Sequence, residues 1–129
     1  MKDWMISLFL VAHGWAHVWN LALSRRLVEF EESMGWTGES WLLSGLLGES
    51  ASLWIATIGY AASLLGFIAS GVLLYIGKPI WRTTAFTSAV ISLITIIVFW
   101  DGKLSMLKEK GLIGLLINLA ILVYLSRIA

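Results

Sequence analysis

Four stretches of this chain, roughly Trp4 to Ser24, Ala51 to Ile76, Ile80 to Trp100 and Gly111 to Ile128, are almost continuously apolar. A helix needs about 20 such residues to cross ~30 Å of hydrocarbon, where the backbone finds no partner except itself. The pattern therefore predicts an all-α polytopic membrane protein, an antiparallel four-helix transmembrane bundle forming a single domain over 1–129. Composition points the same way, with 59% hydrophobic residues, 13% charged residues and a mean hydropathy of +0.87. The second stretch is longer than a span requires and should tilt, while the fourth is near the lower limit. The first begins after Lys2 like a signal peptide, but it is interrupted by His13, Trp15, His17 and Trp19 and runs past signal-peptide length. A retained first span is expected rather than a cleaved leader.

The connections differ in kind. In "GKPIW", Gly77 can close one helix and Pro79 open the next, so the second and third spans form a tight hairpin. "DGKLSMLKEK" makes the second short connection. The first is long: over 27–48, Leu27, Phe30 and Met34 alternate with Glu29, Glu31 and Glu32, an amphipathic segment expected at the interface. "WLLSGLL", residues 41–47, is too short to cross and is expected to lie at the interface rather than re-enter the bundle. Trp4, Trp41, Trp81 and Trp100 fall at or near helix ends, as an aromatic belt requires. Lys2, Lys78, Arg82 and Arg127 would share one side and Arg25, Arg26, Lys103, Lys108 and Lys110 the other, a balance that leaves orientation open.

Composition also limits the chemistry. Without cysteine there is no disulfide framework, thiolate metal site or covalently attached haem, so metal chemistry falls to His, carboxylate and amide ligands. A net charge of +1, with nine cations scattered among loops, argues against a nucleic-acid partner.

Against that background "VAHGWAHVWN", residues 11–20, stands out because it places two imidazoles inside an apolar run. At 100° per residue His13, His17, Asn20 and Ser24 share an arc of roughly 60°, and Trp15 and Trp19 point largely the other way. The stripe should face the bundle interior. Counting ~1.5 Å of rise per residue, Asn118, Thr57 and Thr95 reach about the depth of His17, and Tyr60 and Ser92 about that of His13. One polar layer shared by four helices is expected, with Glu49 and Asp101 at its mouth. Asp101 follows a helix C-terminus, where a carboxylate opposes the macrodipole, so it requires a cation; Lys103 or a protonated histidine are the candidates.

Three readings of this layer compete. His13 and His17 have the i,i+4 spacing that lets both imidazoles bind one metal, and with Asp101 they would make a three-ligand set for a divalent metal, or a haem site in a membrane redox protein. Without metal, His13, His17 and Asp101 would act as acid and base on a lipophilic molecule entering from the bilayer, with Asn20, Tyr60, Trp100, Lys103 and Asn118 binding it. The third reading is structural: an accessory subunit of a larger membrane complex, its histidines hydrogen-bonded across helices. A site predicts a cavity at the layer; a structural seam predicts a dry layer with every imidazole nitrogen satisfied by neighbours. Ala62, Gly66 and Ser70, and Thr84, Ser88 and Ser92, form small-residue faces expected to pack inside the bundle, with a homodimer seam as the alternative.

"AHGWAH", "GKPIW", "FWDGK" and an Asn in the last span together resemble a group of small four-span membrane proteins sharing His-Gly-x-x-His near the start and an aromatic-x-Asp-x-Lys element late. The resemblance implies that His13, His17, Asp101 and Lys103 form one constellation and implies no activity. Four-span bundles that isomerise sterols are a looser analogy, and here a second His stands where those enzymes would carry an acid.

Overall fold

The computed structural model describes residues 2–29, 36, 38–102, 104 and 107–128. The described residues are helical or irregular, and four long helices carry the fold: α1 (Asp3–Ser24), α3 (Glu49–Tyr75), α4 (Trp81–Val98) and α5 (Ile113–Ile128), with a single turn, α2 (Ser44–Leu47), before α3. The four-helix bundle is as expected, and its helices are long and apolar enough to cross a membrane. Their ends fall within two residues of the sequence expectation. Phe30, Glu31, Glu32, Met34 and Lys103 lie outside the described residues.

The helices pack in sequence, α1 on α3, α3 on α4 and α4 on α5, whereas the backbones of α1 and α5 scarcely approach. Close packing of the first two pairs depends on small residues. A Cβ at Gly14 would stand 2.9 Å from Phe67 Cβ and 3.0 Å from the Leu64 carbonyl, so α1 meets α3 at van der Waals distance only because that position is glycine. Gly66 meets Ser88 and Gly59 meets Thr95 in the same way between α3 and α4. Ser7 donates to the Gly71 carbonyl at 2.6 Å and Ser70 to the Trp81 carbonyl at 2.9 Å, so the small-residue faces are spent inside the bundle.

Helix ends follow local chemistry. After α3, Gly77 takes φ +74°, and the amides of Gly77 and Lys78 return to the carbonyls of Leu74 and Leu73, the Schellman closure that "GKPIW" predicts. The first connection does more than lie at an interface. Trp36, 2% exposed, inserts edge-on against Tyr60 and Phe99, and residues 40 and 41 cover the end of α4. Ser40 Oγ donates to the Val98 carbonyl, Trp41 Nε1 to Ile97 and the Trp41 amide to Trp100. These bonds satisfy carbonyls that a helix C-terminus leaves open. Trp81, expected in an aromatic belt, is instead buried in the core below, because α4 begins with that side chain turned onto α3 and α5.

Two apolar cores result. Ile6, Leu10, Phe67, Leu74, Trp81, Ala85, Ala89, Ile121 and Leu125 fill the end near the α3–α4 hairpin. Leu23, Trp36, Leu53, Ala56, Tyr60, Ile96 and Phe99 fill the other. His13 and His17 lie between them.

Candidate functional site at the α1 and α5 seam

The polar stripe of α1 faces inward, as its spacing requires: His13 and His17 are 7% and 4% exposed, and Asn118 is fully buried. His13 Nε2 and Asn118 Oδ1 are 2.9 Å apart, Asn118 Nδ2 is 2.8 Å from Ser92 Oγ, Ser92 Oγ is 2.6 Å from His17 Nε2, and His17 Nδ1 is 3.0 Å from the carbonyl of His13. These contacts form a ring through α1, α5 and α4.

Elementary donor and acceptor rules fix the direction of every bond in the ring. The His13 carbonyl only accepts, so His17 Nδ1 carries a proton and donates. In a neutral imidazole His17 Nε2 then accepts, and Ser92 gives it the hydroxyl proton. Ser92 Oγ in turn accepts from Asn118 Nδ2–H, and Asn118 Oδ1 accepts from His13 Nε2–H. The opposite orientation of the Asn118 amide would make Ser92 donate to Asn118 and force His17 to donate from both nitrogens as a cation. The observed orientation keeps both imidazoles uncharged, which an apolar interior favours. Three of the four imidazole nitrogens are thereby satisfied by protein, and His13 Nδ1 has no hydrogen-bond partner among the described residues.

The rings are held on their faces as well as at their nitrogens. Phe67 stands edge-on to His13 at 4.7 Å between centroids and lies 5.7 Å from His17, and Phe9 stacks on His13 at 6.1 Å. Tyr60 closes the far side of His17 at 6.4 Å. The second span thus contributes aromatic walls rather than hydrogen bonds; its Thr57 pairs with Ser24 at 2.9 Å, nearer the α1 C-terminus.

Because α1 and α5 do not close on each other, the seam between them is open. A cavity of about 220 Å³ there is lined by His13, Ala16, His17 and Asn20 of α1, and across the seam by Ile96, Gly111, Gly114 and Ile117, among others. Asn20 makes no side-chain hydrogen bond with the described residues. Further along the same two helices an apolar groove of about 280 Å³ runs between Ile6, Phe9 and Leu10 on one side and Ala120, Ile121, Tyr124 and Leu125 on the other, with Trp81 and Ala85 at its floor. Phe9 lines that groove and stacks on His13, so the ring of His13 marks the junction of the two.

The acidic groups stand elsewhere. Asp101 Oδ2 lies 3.0 Å from Lys110 Nζ, in a pair whose side chains are only 1% and 4% exposed, and neither histidine bonds to it. Among the described residues the cation against the carboxylate at the end of α4 is Lys110 rather than an imidazole, the other candidate, Lys103, lying outside them; Lys110 reaches it from the π-helical turn Lys108–Leu112, where Gly111 at φ +106° kinks the chain into α5. Trp100 lines a separate small hollow beside Lys110. Glu49 is an exposed residue paired with Arg26, so neither it nor Asp101 forms the mouth of the histidine cavity. The three-ligand set of His13, His17 and Asp101 is not assembled, and among the described residues no three His, Cys, Asp or Glu side chains converge. Spacing on α1 brings the imidazoles edge to face at 5.2 Å and commits three of their nitrogens to protein, which leaves one donor atom for any ion.

Of the residues singled out in the sequence, the structure joins His13, His17 and Asn118 and places Asn20 beside the first two. It sends Tyr60 to the neighbouring core and Asp101 and Trp100 to the loop. Ser92 is the member that spacing alone assigned to packing; its depth, one turn below Thr95 and level with His13, was the signal for its place in the ring. No protein-family model, curated protein or solved structure matches this chain.

Proposed function

We propose that this is an integral membrane protein whose α1 and α5 hold a lipophilic small molecule in a lateral pocket, with His13, His17 and Asn20 at its polar end. Membrane integration rests on the four apolar helices and on the large side chains they turn outward, among them Leu8, Trp15, Ile58, Leu65, Ile94, Leu116 and Val123, which together form far more apolar surface than a water-soluble bundle exposes. His13 stands ten residues from Asp3 and eleven from Ser24, so in a spanning α1 it lies near the bilayer centre. Polar groups at that depth are costly unless paired or used.

The observation that carries the reading is the open seam: α1 and α5 stand apart where the imidazole with an unused nitrogen lies. A seam that only tied helices together would leave no such opening. Binding fits the geometry better than acid–base catalysis, because the Asn118 amide separates the two imidazoles. An amide is a poor conductor of protons, and among the described residues no carboxylate bonds to either ring, so neither histidine has there the partner that an acid–base pair needs.

The experiment is lipid and small-molecule mass spectrometry of protein purified in mild detergent, compared with Ala16→Phe. Ala16 is exposed on α1 and lines the cavity, so a phenyl ring there fills the pocket without disturbing the core. A species enriched over bulk lipid in the wild type and lost in the variant supports the reading. Identical extracts that match bulk lipid overturn it and favour an accessory, purely structural role.

A further inference from the structure

We infer that the ligand is an uncharged lipid alcohol or phenol, its hydroxyl donating to His13 Nδ1 and its hydrocarbon lying in the groove between Ile6 and Leu125. This rests on the pocket reading above and adds to it the chemistry of the head group.

Three features select that chemistry. First, the ring of hydrogen bonds consumes the donor of His13 and leaves it an acceptor. Nε2–H is committed to Asn118 Oδ1, and the bare Nδ1 belongs to a ring that lines the cavity. The complementary group must bring a hydrogen, as a hydroxyl does and a ketone, ether or ester carbonyl does not. The half-buried Asn20 lines the same cavity about 10 Å further along α1, on the side away from the groove.

Second, among the described residues no charged side chain lines either the cavity or the groove. Among the described residues, Lys110 is paired with Asp101, Arg26 with Glu49, and Arg25 lies over the ring of Trp54 at 3.6 Å. A carboxylate or phosphate head group would enter this site without a counterion, at a desolvation cost that a single imidazole does not repay.

Third, the groove lies next to the cavity along the same two helices, and Phe9, which lines the groove, stacks on the ring of His13. From His13 to Ile6 is seven residues, about 10 Å along α1, and the groove is apolar throughout that length. A hydroxyl at the ring of His13 therefore stands at the end of the groove where the chain of the same molecule would begin.

The test uses full-length protein in phosphatidylcholine nanodiscs and a diazirine-bearing hexadecanol as photoprobe. Label is expected in the peptides containing residues 6–10 and 120–125, and Ala16→Phe should reduce it. Unlabelled hexadecanol should compete about three- to tenfold better than its methyl ether or hexadecanoate, the worth of one hydrogen bond. Cholesterol carries the same hydroxyl on a rigid ring system, so its rank against hexadecanol distinguishes a sterol-like from a chain-like source. In His13→Gln the side-chain amide can still donate to Asn118 but has no counterpart of Nδ1, and the preference for alcohol over ether should vanish while seam labelling persists. If ether or acid competes as well as alcohol on a labelled seam, the head-group assignment is wrong and the pocket stands. If the seam peptides are not labelled above background, the pocket reading itself falls.

Discussion

His13 and Asn118 are separated by 105 positions in the chain and by 2.9 Å in the fold, and theirs is the hydrogen bond that ties α1 to α5 across an otherwise open seam. Asn118 is fully buried and serves Ser92 with its other arm. Replacing it with Leu, similar in volume, strands the His13 N–H and takes the donor from Ser92. A loss of about 1–3 kcal/mol is expected, read as the shift of the unfolding midpoint in a denaturing-detergent titration. Ser92→Ala in the Asn118→Leu background should cost less than in the wild type, since the two residues belong to one network.

His17 and His13 should separate experimentally. Both ring nitrogens of His17 are engaged by protein, so His17→Phe should lower stability by about 1–2 kcal/mol and leave Ser92 without its acceptor. His13→Gln keeps the Asn118 bond and should be milder. A midpoint for His13→Gln below that of His17→Phe would count against the bond directions assigned here.

Two glycines offer a contrast in packing. At Gly14 an added Cβ meets Phe67 and the rigid Leu64 carbonyl, so Gly14→Ala should cost about 1–3 kcal/mol by forcing α1 from α3. At Gly45 in α2 nothing lies within 4 Å, and Gly45→Ala should be neutral or slightly stabilising. Thermal melts of the two variants side by side check the difference.

The two ion pairs should behave oppositely. Asp101→Asn leaves Lys110 charged and enclosed, and a loss of about 3 kcal/mol or more is expected; replacing both partners with apolar residues should recover most of it. Glu49→Gln breaks a pair whose side chains are 44% and 71% exposed and should change stability by under about 1 kcal/mol. Raising salt should mimic the second substitution and not the first.

The four helices were legible because apolar length is a property of the sequence alone, and the Gly77 turn because its chemistry is local. The inward direction of His13, His17 and Asn20 followed from helical period for the same reason. What the sequence did not reveal depended on pairing between distant segments. Lys110 was grouped with the loop cations, and nothing within "DGKLSMLKEK" tells that it, after the kink at Gly111, turns back to Asp101. Trp36 lies in a stretch that reads as interfacial, and only the gap among Tyr60, Phe99 and their neighbours makes a place for it. Ser92 resembled every other small residue on α4 until α1 and α5 were set beside it. That the seam stays open was not legible at all, since it depends on which two of four similar helices fail to meet.

The order of packing has a consequence for how the protein is made. Of the four long helices, the two that border the opening are made furthest apart in time, and α1, α3 and α4 can associate in the order of their synthesis. Until α5 arrives, the donor of His13 and the hydroxyl of Ser92 lack the amide that joins them, and the pocket has only one wall. Nascent chains therefore carry an unfinished polar patch for the time it takes to translate α5. The pocket is completed only by α5, so a chain truncated before that helix would build α1, α3 and α4 and leave the site with one wall.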